Sequence, residues 1–91
     1  MTSENIKEIG ERIKHIRIRM YFGIKELAKE IDVNAKLLED WEAGNVIPKG
    51  ETLERFCEFS GATRDYILLG KGEWVDDIKE LIKELHDGRI K

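Results

Sequence analysis

At 91 residues and 10.6 kDa the chain is long enough for one small domain and too short for two. Its single cysteine excludes an intrachain disulfide, and one cysteine with two histidines does not make a zinc site of the usual spacing. With a net charge of −3, 38% charged residues, no signal-peptide core and no apolar run near the ~20 residues of a membrane span, the chain reads as soluble, cytoplasmic and all-α.

The first helix is expected over residues 4–20. Ile6, Ile9, Ile13, Ile16 and Met20 follow one another at alternating steps of three and four, which lines them along one stripe. Thr2 or Ser3 suits its N-cap. Gly10 inside it costs about 1 kcal/mol relative to alanine and so marks a place of close packing. After Tyr21-Phe22-Gly23, a short second helix carries Ile24, Leu27, Ala28 and Ile31. Asp32-Val33-Asn34 is a turn, with Asn34 as the next N-cap.

The third helix runs from Ala35 to Ala43, with Leu38 and Trp41 inward and Ala35, Lys36, Glu39, Asp40 and Ala43 outward. Gly44 supplies its left-handed cap. A fourth helix begins near Gly50, buries Leu53, Phe56 and Cys57, and stops at Gly61. Thr63 caps a fifth helix over Arg64–Leu69, ended by Gly70. A sixth, from Trp74 to about Asp87, carries the apolar set Trp74, Ile78, Leu81, Ile82 and Leu85. No strand signal, internal repeat or low-complexity segment interrupts this series. Charge is unevenly spread: residues 1–25 hold six basic against three acidic side chains, and residues 26–60 hold four against nine.

Two short helices joined by a tight turn make a helix-turn-helix. The order of residues is more specific than the helices themselves. Leu27-Ala28, Val33, Trp41-Glu42-Ala43-Gly44, Pro48, Glu51-Thr52-Leu53, Gly61-Ala62-Thr63 and Asp65-Tyr66-Ile67-Leu68-Leu69-Gly70 follow at fixed offsets. This order closely resembles the lambda-repressor and Cro-like helix-turn-helix family, also called the xenobiotic-response-element family, over about residues 6–70. The resemblance implies a five-helix repressor-like bundle over 1–70, followed by a linker and added C-terminal amphipathic helix over 71–91. It also implies a core-edge ion pair between Arg17 and Glu42, a small residue at Ala28 where helices cross, and an inert Cys57 at a position usually held by alanine.

In that family the second helix of the motif enters the DNA major groove. By position, Ala35, Lys36 and Asp40 are the base readers: Lys36 toward guanine O6 and N7, Asp40 toward cytosine N4, and Ala35 toward a thymine methyl. Gly23, Lys25, Asn34, Asn45 and Lys49 are the phosphate contacts, partly through backbone amides at helix starts. The chain departs from the family where a Ser or Thr followed by Gln opens the second helix; here the residues are Gly23 and Ile24, and glutamine is absent throughout. Leu37 stands where the first turn of the third helix carries Ser or Thr, and Asn45-Val46-Ile47 replaces a basic loop.

Two functions follow. In the first, the chain is a sequence-specific transcriptional regulator, repressor-like, bound to a double-stranded DNA operator as a homodimer. In the second, the fold serves as a protein-binding module through an apolar patch of Ile24, Leu37 and Val46. A helix so amphipathic needs a covering surface: the stripe Trp74, Ile78, Leu81, Ile82 and Leu85 either folds back on the first and fifth helices of its own domain or pairs with the same helix of a second copy, and the second course, with Trp74 as anchor, makes it the expected dimerisation element. No phosphate loop, nucleophile elbow or metal motif is present, so neither an enzyme nor a cofactor is expected.

Overall fold

A computed structural model describes residues 3–74. Five helices follow in order: α1 (Ser3–Arg19), α2 (Ile24–Glu30), α3 (Ala35–Ala43), α4 (Gly50–Ser60) and α5 (Arg64–Leu69). No strand occurs among the described residues. The expected sixth helix lies outside them, apart from Trp74.

α1 is the organising element. It packs chiefly on α3 and also on α5, while α2 packs on α3 and α4 on α5. Its stripe Ile9, Ile13 and Ile16 is fully buried. The same core holds Leu27, Ala28, Ile31, Leu38, Trp41, Leu53, Phe56, Ala62 and Ile67. Trp41 and Phe56 meet edge to face with centroids 6.4 Å apart, the arrangement the ring quadrupoles favour.

Gly10 explains how closely α1 and α3 approach. A Cβ built there would stand 2.7 Å from the carbonyl oxygen of Glu42 and closer still to that of Trp41. Only a residue without a side chain lets the two backbones meet at this crossing.

Most helix ends follow the capping chemistry. The Asn34 side chain accepts from the Lys36 amide at 2.7 Å, and Thr63 Oγ1 accepts from the Tyr66 amide at 3.0 Å. Gly44, Gly61 and Gly70 close α3, α4 and α5 in the left-handed conformation. α1 begins with Ser3 as its first helical residue, and Thr2 is outside the described residues. At its other end Arg19 is the last helical residue; Met20 bonds back to both Ile16 and Arg17, and Tyr21 turns left-handed at φ 63.

Two burial expectations are corrected. Cys57 is only half buried; Ser60, one turn on, takes the buried place, and its hydroxyl accepts from the Ala62 amide at 3.2 Å. Ile24 and Leu37 do not form an exposed apolar patch. Both are partly buried and packed against the core, so that of the three residues only Val46 is exposed. Side chains so placed gain more from covering the core than from facing water.

Candidate nucleic-acid interface

The turn between α2 and α3 sets the geometry of the site. Ile31 caps α2, and Asp32 follows with φ 55. The Val33 amide reaches back to the Ala28 carbonyl at 2.9 Å, and the Asp32 amide to the Lys29 carbonyl at 3.3 Å. This is the paired bonding of a Schellman ending, with an aspartate where glycine is commonest. Arg55 secures it from α4: Nε donates to the Ile31 carbonyl at 2.7 Å and Nη2 to the Asp32 carbonyl at 3.0 Å. These carbonyls belong to the C-terminal end of α2, where a cation also meets the negative end of the helix dipole. The chain then enters α3 through Asn34.

On α3, Lys36 projects from the first turn. Its Nζ donates to Asp40 Oδ1 at 3.2 Å, with 74% of the lysine side chain exposed against 22% of the aspartate. Ala35 is half buried against the core. Glu39 is exposed beside the pair.

The residues assigned to phosphate are less uniform. The Gly23 amide donates to Glu26 Oε1 at 3.1 Å, so this amide already has a carboxylate partner. Lys25, in the first turn of α2, is exposed. Lys49 is the N-cap of α4 and is also exposed. The Asn34 side-chain oxygen is engaged in capping. Asn45 is exposed, and its amide donates to the Asp40 carbonyl at 2.9 Å.

Arg17 and Glu42 join α1 to α3. Arg17 Nε and Nη2 donate to Glu42 Oε2 and Oε1 at 2.7 and 3.0 Å, and Nη1 donates to the Phe22 carbonyl at 2.8 Å. The two side chains are 13% and 8% exposed. The hydrogen bond to Glu42 raises the arginine pKa above its ordinary value, against the opposing effect of burial. The pair therefore holds the end of α3 and the turn into α2 in one place. Cys57 has no comparable activation: burial raises its thiol pKa, only partly offset by Arg64, which suits an inert side chain.

Two arginines take positions that sequence reasoning did not assign. Arg12 Nε donates to the Ile67 carbonyl at 2.9 Å and ties α1 to α5. Arg55 holds the turn as described. Of the two coverings open to Trp74, a second copy or its own domain, the side chain takes the second and is half buried there: Nε1 donates to the Ser60 carbonyl at 2.8 Å, and the ring meets His15 edge on, with centroids 6.3 Å apart. Ile78, Leu81, Ile82 and Leu85 lie outside the described residues.

Among the described residues, no cluster of His, Cys, Asp and Glu is placed to hold a metal ion. No helix among them is long and apolar enough to cross a membrane. No curated protein and no solved structure matches the chain. A family described as a helix-turn-helix domain does match, over residues 10–73, a span that takes in most of α1 and all of α2 to α5. That is more than half of the chain, and with the α2–turn–α3 geometry and the repressor-like order of residues it establishes that this chain belongs to the helix-turn-helix domain family.

Proposed function

We propose that the chain is a sequence-specific, DNA-binding transcriptional regulator, repressor-like, that reads the major groove with α3 and binds its operator as a homodimer. The observation that carries this reading is the α2–turn–α3 unit itself. Its turn is held from α4 by Arg55, its second helix is capped by Asn34, and the exposed Lys36 stands in the first turn of that helix. In helix-turn-helix proteins the N-terminal residues of this helix meet base edges.

In this reading Lys36 and Asp40 face the bases, and Lys25 and Lys49 supply the phosphate contacts, with Asn45 beside them. Gly23 contributes less than its position suggests, because Glu26 occupies its amide and adds a negative charge there. So few cationic contacts give weak binding for one domain, and a second copy on a second half-site raises it. The residues proposed to join the copies are Ile78, Leu81, Ile82 and Leu85 of the 71–91 segment. No cofactor or catalytic step enters this function, and a cytoplasmic location suits it.

The protein-module reading has less support, since Ile24 and Leu37 are partly buried against the core and of the three residues only Val46 is exposed. The test is selection of duplexes from a random-sequence DNA library by the full-length chain, followed by fluorescence anisotropy on the enriched duplex at low salt. A common motif, bound more tightly than about micromolar and at least ~10³-fold above non-specific DNA, is expected. A pool with no motif, and no duplex bound better than micromolar, would overturn the reading in favour of a protein partner.

A further inference from the structure

We infer that Lys36 and Asp40 act as one unit that reads a single G·C base pair, the lysine on guanine and the aspartate on cytosine, and that Asp40 buys this specificity with weaker general affinity for DNA. The inference rests on the DNA-reading function proposed above and specifies what its central contact recognises.

The ion pair is oriented against the needs of its helix. Lys36 lies in the first turn of α3 and Asp40 one turn further toward the C-terminus. A helix favours acidic groups at its start and basic groups at its end, and an i,i+4 pair is better with the acid first. α3 has no acidic residue in its first turn and no basic residue in its last. Helix stability therefore gains less from this pair than from one in the opposite order, and its lysine remains mostly exposed.

The chemistry of base edges accounts for it. The ammonium and carboxylate are 3.2 Å apart, a donor beside an acceptor. In the major groove a G·C pair presents guanine O6 beside the cytosine N4 amino group, an acceptor and a donor about 2.9 Å apart as hydrogen-bond partners. The lysine also meets guanine N7, a second acceptor on its own side. An A·T pair offers thymine O4 beside adenine N6, but there the carboxylate faces adenine N7, which repels it, and the ammonium faces the thymine methyl. The same carboxylate neutralises the lysine and carries a negative charge toward a phosphate-lined groove, so DNA lacking the matching pair is bound less well.

The test repeats the library selection with full-length wild type, Lys36→Ala, Asp40→Asn and the double variant, each first checked for an unchanged thermal melt. In the wild-type pool one G·C position is expected that both single variants release. Anisotropy on the enriched duplex and on its A·T substitution should show the preference falling about tenfold in either variant, with no further fall in the double. Asp40→Asn should at the same time tighten binding to unrelated duplex DNA. Wild type that selects a motif in which the two variants release different positions, or none, overturns the coupled reading and leaves DNA binding intact. Wild type that selects no motif overturns both.

Discussion

Arg17 and Glu42, 25 residues apart in sequence, share two parallel hydrogen bonds at the junction of α1 and α3. The guanidinium spends its third contact on the Phe22 carbonyl, so one side chain fixes both the α1–α3 crossing and the turn into α2. Glu42→Ala leaves a largely buried cation without its partner and should lower stability by about 3 kcal/mol, a large share of what a small domain has. Arg17→Lys keeps the charge but not the fork and should recover only part of the loss seen in Arg17→Ala. The raised arginine pKa keeps the group charged throughout the working range; the stability it contributes is complete below the ordinary arginine value and is lost only at still higher pH. Urea denaturation at pH 6 and pH 9 checks both points: losses no larger than those of surface substitutions would contradict the first, and a change in the Arg17→Ala deficit between these pH values would contradict the second.

Gly10→Ala tests the close approach of α1 and α3. Helix propensity alone predicts a gain of about 1 kcal/mol. The added methyl instead meets two backbone carbonyls that have no flexible end to move away. A net loss of about 2 kcal/mol is expected. A variant melting above the wild type would mean that the helices sit further apart than described.

The α2–α3 turn rests on Arg55. Arg55→Ala removes two hydrogen bonds to backbone carbonyls and should cost about 2 kcal/mol. Asp32→Gly should act in the other direction, by about 1 kcal/mol, because glycine adopts φ 55 without strain. Hydrogen exchange of the Val33 amide, which closes this turn onto Ala28, reports on the local effect: faster in Arg55→Ala, unchanged or slower in Asp32→Gly.

Lys25 and Lys49 should affect all DNA sequences alike. Replacing either with alanine is expected to reduce the slope of log affinity against log salt by about 1 without changing the preferred motif. A shift in motif on replacing either would place that lysine at a base instead of a phosphate.

The segment beyond Trp74 is expected to carry assembly, while Trp74 itself serves its own domain. A chain shortened to residues 1–74 should keep its fold and sediment as a monomer, and the full chain as a dimer. Trp74→Phe removes the bond to the Ser60 carbonyl and should lower the melting temperature without changing the oligomeric state. A full chain that remains monomeric at high micromolar concentration would remove the dimer from the proposal.

The helices and most of the core were legible in the sequence because they depend on short-range rules. Asn34 and Thr63 cap the helices they precede, and Gly44, Gly61 and Gly70 end them, since each acts on backbone groups within a few residues. Ile9, Ile13, Ile16, Leu38 and Trp41 are inward because helical spacing puts them on one face. Gly10 as a mark of close packing was also legible, although its partner on α3 was not.

Only the tertiary structure decided what the long side chains do. Arg12 and Arg55 look like ordinary solvated charges in sequence, yet each reaches a carbonyl of another helix that no spacing rule connects to it. Ile24 and Leu37, expected with Val46 to form an apolar patch, are partly buried because α2 and α3 meet the core there. Trp74 heads a stripe that has to be covered either by its own domain or by a second copy, and the Ser60 carbonyl gives its indole a partner within the same domain. Local pattern sets which face of a helix is apolar; which surface covers that face depends on how distant segments meet, because burial and hydrogen bonding are settled in space and not along the chain.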